Sequence, residues 1–180
     1  MSGLTVVKVG GSLYDLPDLG DRLRRFLATL AGPVLLIPGG GPTADVVRQL
    51  DEVHRLGEEA AHWLALRACE FNAYLLAQLL PGVPIVEEPR DGVAILDLHA
   101  FAANDESRSD HLPHQWDVTS DSLALRAAQV FRARELVLLK SVAWAGSDWS
   151  LAAQEGIVDP FFPRVIERAM INARVVSLRS

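Results

Sequence analysis

The chain has 180 residues, 49% of them apolar, and a net charge of −6. That length fits one domain, 1–180, with a core large enough to stand without disulfide or metal staples, and the acidic balance excludes an extended nucleic-acid surface, which needs a basic face. No apolar stretch approaches a membrane span, no secretory leader is expected, and Cys69 is the single cysteine, so a cytoplasmic protein without nucleic-acid or membrane partners is expected, with Cys69 as a small core residue.

Residues 4–9 (LTVVKV) read as a buried strand ending at Gly10-Gly11. Leu19, Leu23, Phe26, Leu27 and Leu30 recur at helical spacing over 18–30. Residues 33–37 (PVLLI) form a short apolar strand, broken by Pro38-Gly39-Gly40-Gly41-Pro42. A helix is predicted to start near Thr43, with Asp45 in its first turn. A long helical stretch then covers 58–80 and stops at Pro81-Gly82. Its apolar residues suit either simple core packing or the interface of a homo-oligomer, which is the expected state. Residues 84–87 and 93–97 are candidate strands, and 101–116 is polar and irregular, with His99, His111 and His114 nearby. Residues 119–132 read as a helix, 135–142 (ELVLLKSV) as a strand and AWAGSDWS as a loop. A helix over 160–170 and a strand over 173–178 (ARVVSL) close the pattern.

Continuous apolar strands alternating with helices predict an α/β fold, a three-layer α/β/α sandwich with a mostly parallel central sheet. Ligands in such sheets bind beyond the carboxyl ends of the strands. Three Gly- or Asp-bearing segments fall at predicted strand ends or helix starts: KVGGS, PGGGPTAD and WDVTSDS.

The 17 basic residues include only two lysines, Lys8 and Lys140, which leaves 15 arginines. Both lysines lie in apolar strand-like runs. An ammonium is a compact point charge and a guanidinium a flat fork, so these positions suggest sites that want a point charge; amines snorkelling out of strand ends are the plain alternative. The glycines of PGGGPTAD allow a sharp turn and a close approach, and the helix behind them offers an anion site. The same turn is also readable as a tight β-to-α connection with no ligand. Neither a Walker A motif nor a dinucleotide fingerprint is present. KVGGS supplies a second glycine turn beside Lys8. Two such loops bridged by a lysine suit phosphoryl transfer, where positioning and electrostatic stabilisation carry catalysis.

In WDVTSDS, Thr119 or Ser120 is a candidate N-cap and Asp121 lies in the first helical turn. One reading keeps Asp121 and Asp117 as helix-start residues only. The other has Asp121 orienting the lysines and Asp117 facing the substrate or a magnesium–nucleotide complex. HLPHQWD also spaces His111, His114 and Asp117 three apart, a possible metal trio. Pro113 interrupts any regular helix that would align them, so polar loop residues or acceptor contacts are the preferred reading.

In order, VVKVGGSL, LLIPGGGPTADVV, VTSDSLALRAA and LVLLKSV resemble the amino acid kinase superfamily, which includes acetylglutamate, aspartate, uridylate and isopentenyl-phosphate kinases. The resemblance runs from residue 5 to about 142 and implies an ATP-dependent phosphotransferase. It implies that Lys8 contacts the transferring phosphoryl group, that Gly10, Gly11 and Ser12 form the first glycine loop, and that Gly39, Gly40 and Gly41 hold the acceptor. Asp121 would organise the lysines, with Lys8, Asp121 and Lys140 as the catalytic set. Lys140, Ser141 and Asp159 would serve the nucleotide, and Asp117 and Thr119 the acceptor. ATP and Mg²⁺ are the implied cofactors, with the metal carried by ATP rather than by direct protein ligands, and a small-molecule phosphate acceptor is the implied partner.

The late G-G-M-x-x-K segment of many members is replaced here by EGIVDPFFPRVIERA, without a lysine, so Lys140 or Arg164 would have to serve instead. The sequence also ends soon after ARVVSL, so a C-terminal strand of the family is expected to be absent. AHWLALRACEFNAYLLA, LPHQWDVTSDSLA, LLKSV and GIVDPFF are similar to the subgroup that phosphorylates (5-(aminomethyl)furan-3-yl)methyl phosphate in methanofuran biosynthesis. Uridylate or isopentenyl-phosphate kinase-like activity, or a non-catalytic nucleotide- or oxyanion-binding module of the same fold, are the alternatives.

Overall fold

The computed structural model describes residues 3–179. Its six strands are β1 (Thr5–Val9), β2 (Val34–Pro38), β3 (Ile85–Val86), β4 (Val93–Leu96), β5 (Glu135–Lys140) and β6 (Asn172–Ser177). They form one sheet in the order β3-β4-β2-β1-β5-β6. Every pairing is parallel, so the predicted mostly parallel sheet is parallel throughout. The helices are α1 (Leu19–Leu27), α2 (Gly41–His54), α3 (Glu58–Leu79), α4 (Leu98–Asp105), α5 (Ser120–Val130), α6 (Trp149–Gln154) and α7 (Phe162–Ile166).

The central strands are buried on both faces, which explains their unbroken apolar runs. Alternation along each strand divides their side chains between two cores. Val6, Leu136 and Leu138 pack with α4, α5 and α7, whereas Val7, Val9, Val137 and Leu139 pack with α1. Helix α3 belongs to both, with Leu66 and Cys69 in the first core and Ala73 and Leu76 in the second. These are the three layers of an α/β/α sandwich.

Three local readings are corrected. Part of the stretch expected to be irregular forms α4, whose first turn is capped by Asp97 accepting from the Ala100 N–H at 2.9 Å. Its small residues obscure the period that would reveal a helix. The segment expected as a loop, AWAGSDWS, turns into α6 at Trp149, where Asp148 caps Ser150 and Leu151. Helix α2 begins at Gly41 rather than Thr43, with Pro42 in its first turn and no acidic residue there.

The chain runs from β1 to its neighbour β2 on one side and from β5 to its neighbour β6 on the other, so the winding reverses between β1 and β5. Such a reversal opens a crevice at the carboxyl ends of the strands. The loops there pack backbone against backbone. Gly10 donates to the Leu139 carbonyl at 2.9 Å, and Gly39 donates to the Val9 carbonyl at 3.0 Å. A Cβ on Gly11 would lie 2.5 Å from both N and Cα of Gly41, which itself has φ of +53°. Glycine is required at both positions, in part because each loop occupies the space beside the other.

Asn72 of α3 fixes the second loop from behind, donating 2.7 Å hydrogen bonds to the carbonyls of Gly39 and Gly40. Asn72→Ala should lower unfolding stability by about 2 kcal/mol, because buried carbonyls lose their donor. Denaturant unfolding measures the change, and a variant as stable as the parent would show that the loop holds itself.

Candidate active site

Alternation brings the two lysines to the same face. Lys8 of β1 follows Val6 by two residues, and Lys140 of β5 follows Leu138 by two, both on the side covered by α5. Lys8 is in register with Leu138, so Lys140 lies one step further toward the crevice. Asp121, in the first turn of α5, meets both. Lys8 Nζ is 2.9 Å from Oδ1, and Lys140 Nζ donates to Oδ2 at 2.7 Å. Both Asp121 and Lys8 side chains are only 5% exposed. The first contact is an ion pair without hydrogen-bond alignment, so Oδ1 has no aligned donor among the described residues.

Electrostatics decides the ionisation of this trio. Burial pushes the Asp121 carboxyl up, but the nearby Lys8 and Lys140 charges together outweigh it and hold the pKa down to about 2. Lys140 is driven the other way. Burial and then the Lys8 charge lower it to about 8, and Asp121 only partly offsets them. Asp121 is therefore ionised at neutral pH, where it faces two basic side chains.

Asp121 is itself held by its helix. Thr119 is the N-cap of α5, and its Oγ1 accepts from the Asp121 N–H at 3.5 Å while donating to Asp159 at 2.8 Å. Asp159 was expected at the nucleotide, but its carboxylate is already engaged. Oδ2 accepts from Thr119 N, Thr119 Oγ1 and Ser122 N, and Oδ1 accepts from Ser122 Oγ, Phe161 N and Phe162 N. Six donors saturate it, so the structure gives Asp159 the work of clamping the start of α7 to the start of α5. Burial raises its pKa, reinforced by the Asp121 charge.

A cavity of about 170 Å³ opens beside Lys8. Gly11, Gly40 and Gly41 line one side, and Thr119 and Ser120 line another. Helix N-termini therefore converge on it, but they differ. That of α5 is occupied by the carboxylates of Asp121 and Asp159. That of α2 has no side-chain cap and no acid in its first turn, which leaves it the better anion site. Asp117 was expected at the acceptor, yet it is exposed and does not line this cavity; its carbonyl accepts from Phe161 N. Ser12 and Ser141 meet across the strand ends through a 3.1 Å hydroxyl contact.

Further lining residues escaped the sequence reading. Arg48 lies over the Trp116 ring at 5.0 Å, and His62 is 7% exposed. Both belong to helices with mixed surface patterns, where nothing in the spacing separates a cavity-lining side from any other. The histidines singled out earlier gather outside the cavity. His62 stacks on His114 with ring centroids 4.5 Å apart, and His99 packs edge-on to Trp63.

No family model matches the chain. In sequence it is 26% identical to the [5-(aminomethyl)furan-3-yl]methyl phosphate kinase of Methanocaldococcus jannaschii, over 97% of this chain and 88% of that protein. In structure it is similar to the uridylate kinase of Archaeoglobus fulgidus, with a TM-score of 0.65 and 15% identity over 96% of this chain and 90% of that one. The aspartate kinase of Synechocystis gives a TM-score of 0.70 at 13% identity over 98% of this chain, which spans 38% of that longer protein. The sequence likeness is thus to a kinase and the fold is shared with uridylate and aspartate kinases, and the class of protein these relatives support is a phosphotransferase.

The depressed Lys140 is open to direct measurement, because only two side-chain amines exist. Amine labelling followed peptide by peptide should give Lys140 a reactivity midpoint near pH 8, and a midpoint at the ordinary lysine value of 10.5 would contradict the arrangement. Asp121→Asn should cost about 3 kcal/mol of stability at pH 7 by leaving buried Lys8 and partly buried Lys140 without their shared carboxylate. The Asp121 pKa is lower folded than unfolded, so its contribution is present above pH 4 and disappears as pH falls through about 2. Unfolding free energies of parent and variant should therefore converge as pH falls over that window.

Proposed function

We propose that the protein is an ATP-dependent kinase that phosphorylates a small molecule already bearing a phosphate. The observation that carries this reading is the Lys8–Asp121–Lys140 trio at the carboxyl ends of two adjacent strands, with Lys8 in the wall of a cavity bounded by the uncapped start of α2. The acceptor's phosphate binds at the α2 N-terminus and the glycine loop. Its oxygen attacks the γ-phosphorus of ATP, the bond from that phosphorus to the β,γ-bridging oxygen breaks, and ADP leaves with the electron pair. Lys8 stabilises charge on the phosphoryl group in flight, and Lys140 neutralises the nucleotide side. Asp121 fixes the position of both ammonium groups and takes no proton. Mg²⁺ arrives with ATP and supplies charge neutralisation on its phosphates.

For the acceptor, the sequence relative favours (5-(aminomethyl)furan-3-yl)methyl phosphate or a similarly small aromatic phosphomonoester. Trp116 and His62 offer flat surfaces for a ring, and Arg48 adds a cation at the cavity wall. A homo-oligomer accompanies the proposal, with exposed Phe71 and Tyr74 of α3 as its contact residues.

Incubation with Mg-ATP and this furan phosphate should yield ADP and the diphosphate. UMP tests the uridylate alternative, and tight ATP binding with no ADP from any phosphomonoester would favour a binding module. Lys8→Ala should lower kcat by about 10²- to 10³-fold while the far-UV spectrum stays native; retained turnover would remove Lys8 from the mechanism. Arg48→Ala should raise the acceptor KM several-fold and leave the ATP KM unchanged, and equal effects on both would place Arg48 outside the acceptor site.

A further inference from the structure

We infer that Glu106, His111 and His114 form a binding site for a zinc-class divalent metal at the rim of the cavity. One ligand atom from each residue lies within 4.8 Å of the others. Two imidazoles and a carboxylate select zinc-like ions over magnesium, which prefers oxygen ligands alone. The sequence pattern of His111, His114 and Asp117 has the wrong carboxylate. Asp117 is outside the cluster, and Glu106, at the end of α4, takes its place.

The surroundings carry the inference beyond proximity. His114 presents Nε2 toward Glu106 at 2.9 Å, while its Nδ1 is 2.6 Å from the Glu59 carboxylate of α3. Glu59 is in turn fixed by the Trp63 indole N–H at 2.9 Å. A carboxylate on the far nitrogen is the outer-shell partner that orients a metal-bound histidine and raises its basicity. The ligand segment is anchored as well. Buried Arg126 of α5 makes forked hydrogen bonds of 2.8 to 3.0 Å to both Asp105 and Asp110, the neighbours of Glu106 and His111. Two ligands thus stand on a segment held by a guanidinium, and the third is aimed by a carboxylate. His111 and Glu106 side chains are each 37% exposed, so an ion can enter from solvent.

The metal would hold the segment between α4 and α5 against α3. That segment continues into Gln115 and Trp116, which line the cavity, and His114 stacks on cavity-lining His62. Occupancy would thereby stiffen one cavity wall. The site itself does not rest on the kinase reading.

Chelator-treated full-length protein titrated with Co²⁺ should develop the visible bands of a four- or five-coordinate nitrogen–oxygen site, saturating at one equivalent. Zn²⁺ should abolish them and excess Mg²⁺ should not. His111→Ala and His114→Ala should each lose the bands, Glu59→Gln should weaken binding by about 10- to 100-fold, and Asp117→Asn should change nothing. Absence of saturable binding, or binding that survives both histidine variants, would overturn the site, leaving the cluster as an imidazole held between two carboxylates.

Discussion

One buried carboxylate holds a buried and a partly buried ammonium group together. Lys8 and Lys140 project from neighbouring strands onto the same face, where water is scarce and their repulsion is strong. Asp121 makes that arrangement tolerable by facing both. Its own position is inherited from the Thr119 cap and the six-fold clamp of Asp159, which joins the first turn of α5 to the start of α7. A chain of polar contacts therefore runs from the C-terminal third of the protein to the two strand ends. Remote residues can affect the lysines through this chain without touching a ligand.

The cavity gains its polarity from a division of labour between helix ends. The acids of the region are drawn to α5, where they satisfy its own N–H groups and pair with the lysines. The start of α2 is free of them because the helix begins two residues earlier than its sequence suggests, which moves Asp45 out of the first turn. The glycines around it have a double use. They let two loops touch backbone to backbone, and the same absence of side chains leaves the α2 terminus open.

Strand runs such as VVKV and ELVLLK were legible because burial on both faces writes an unbroken apolar signature. The shared neighbourhood of Lys8, Asp121 and Lys140 was legible from motif order rather than from spacing, since Asp121 lies 113 positions after Lys8 in the chain. Asp159 looked like a ligand-binding acid because nothing local reveals that six donors converge on it. Asp117 looked like an acceptor contact because it precedes a helix start, but α5 turns its cap, not this side chain, toward the cavity. Arg48, His62 and Trp116 come from separate elements and meet only after α2 has packed on α3. Helix α4, with small residues and little amphipathic contrast, escaped for a different reason: its stability comes from tertiary contacts and a capping aspartate.

Helix α3 contributes to the cores on both faces of the sheet within a single continuous run. It acts as a bolt through two plates. Loosening either layer would pull on a helix that the other layer still grips, so the faces cannot fray independently. The second glycine loop is tied to the middle of that bolt by Asn72, close to where its residues pass from one core to the other. Amide exchange in that loop should then follow opening of the whole domain rather than a local breathing motion.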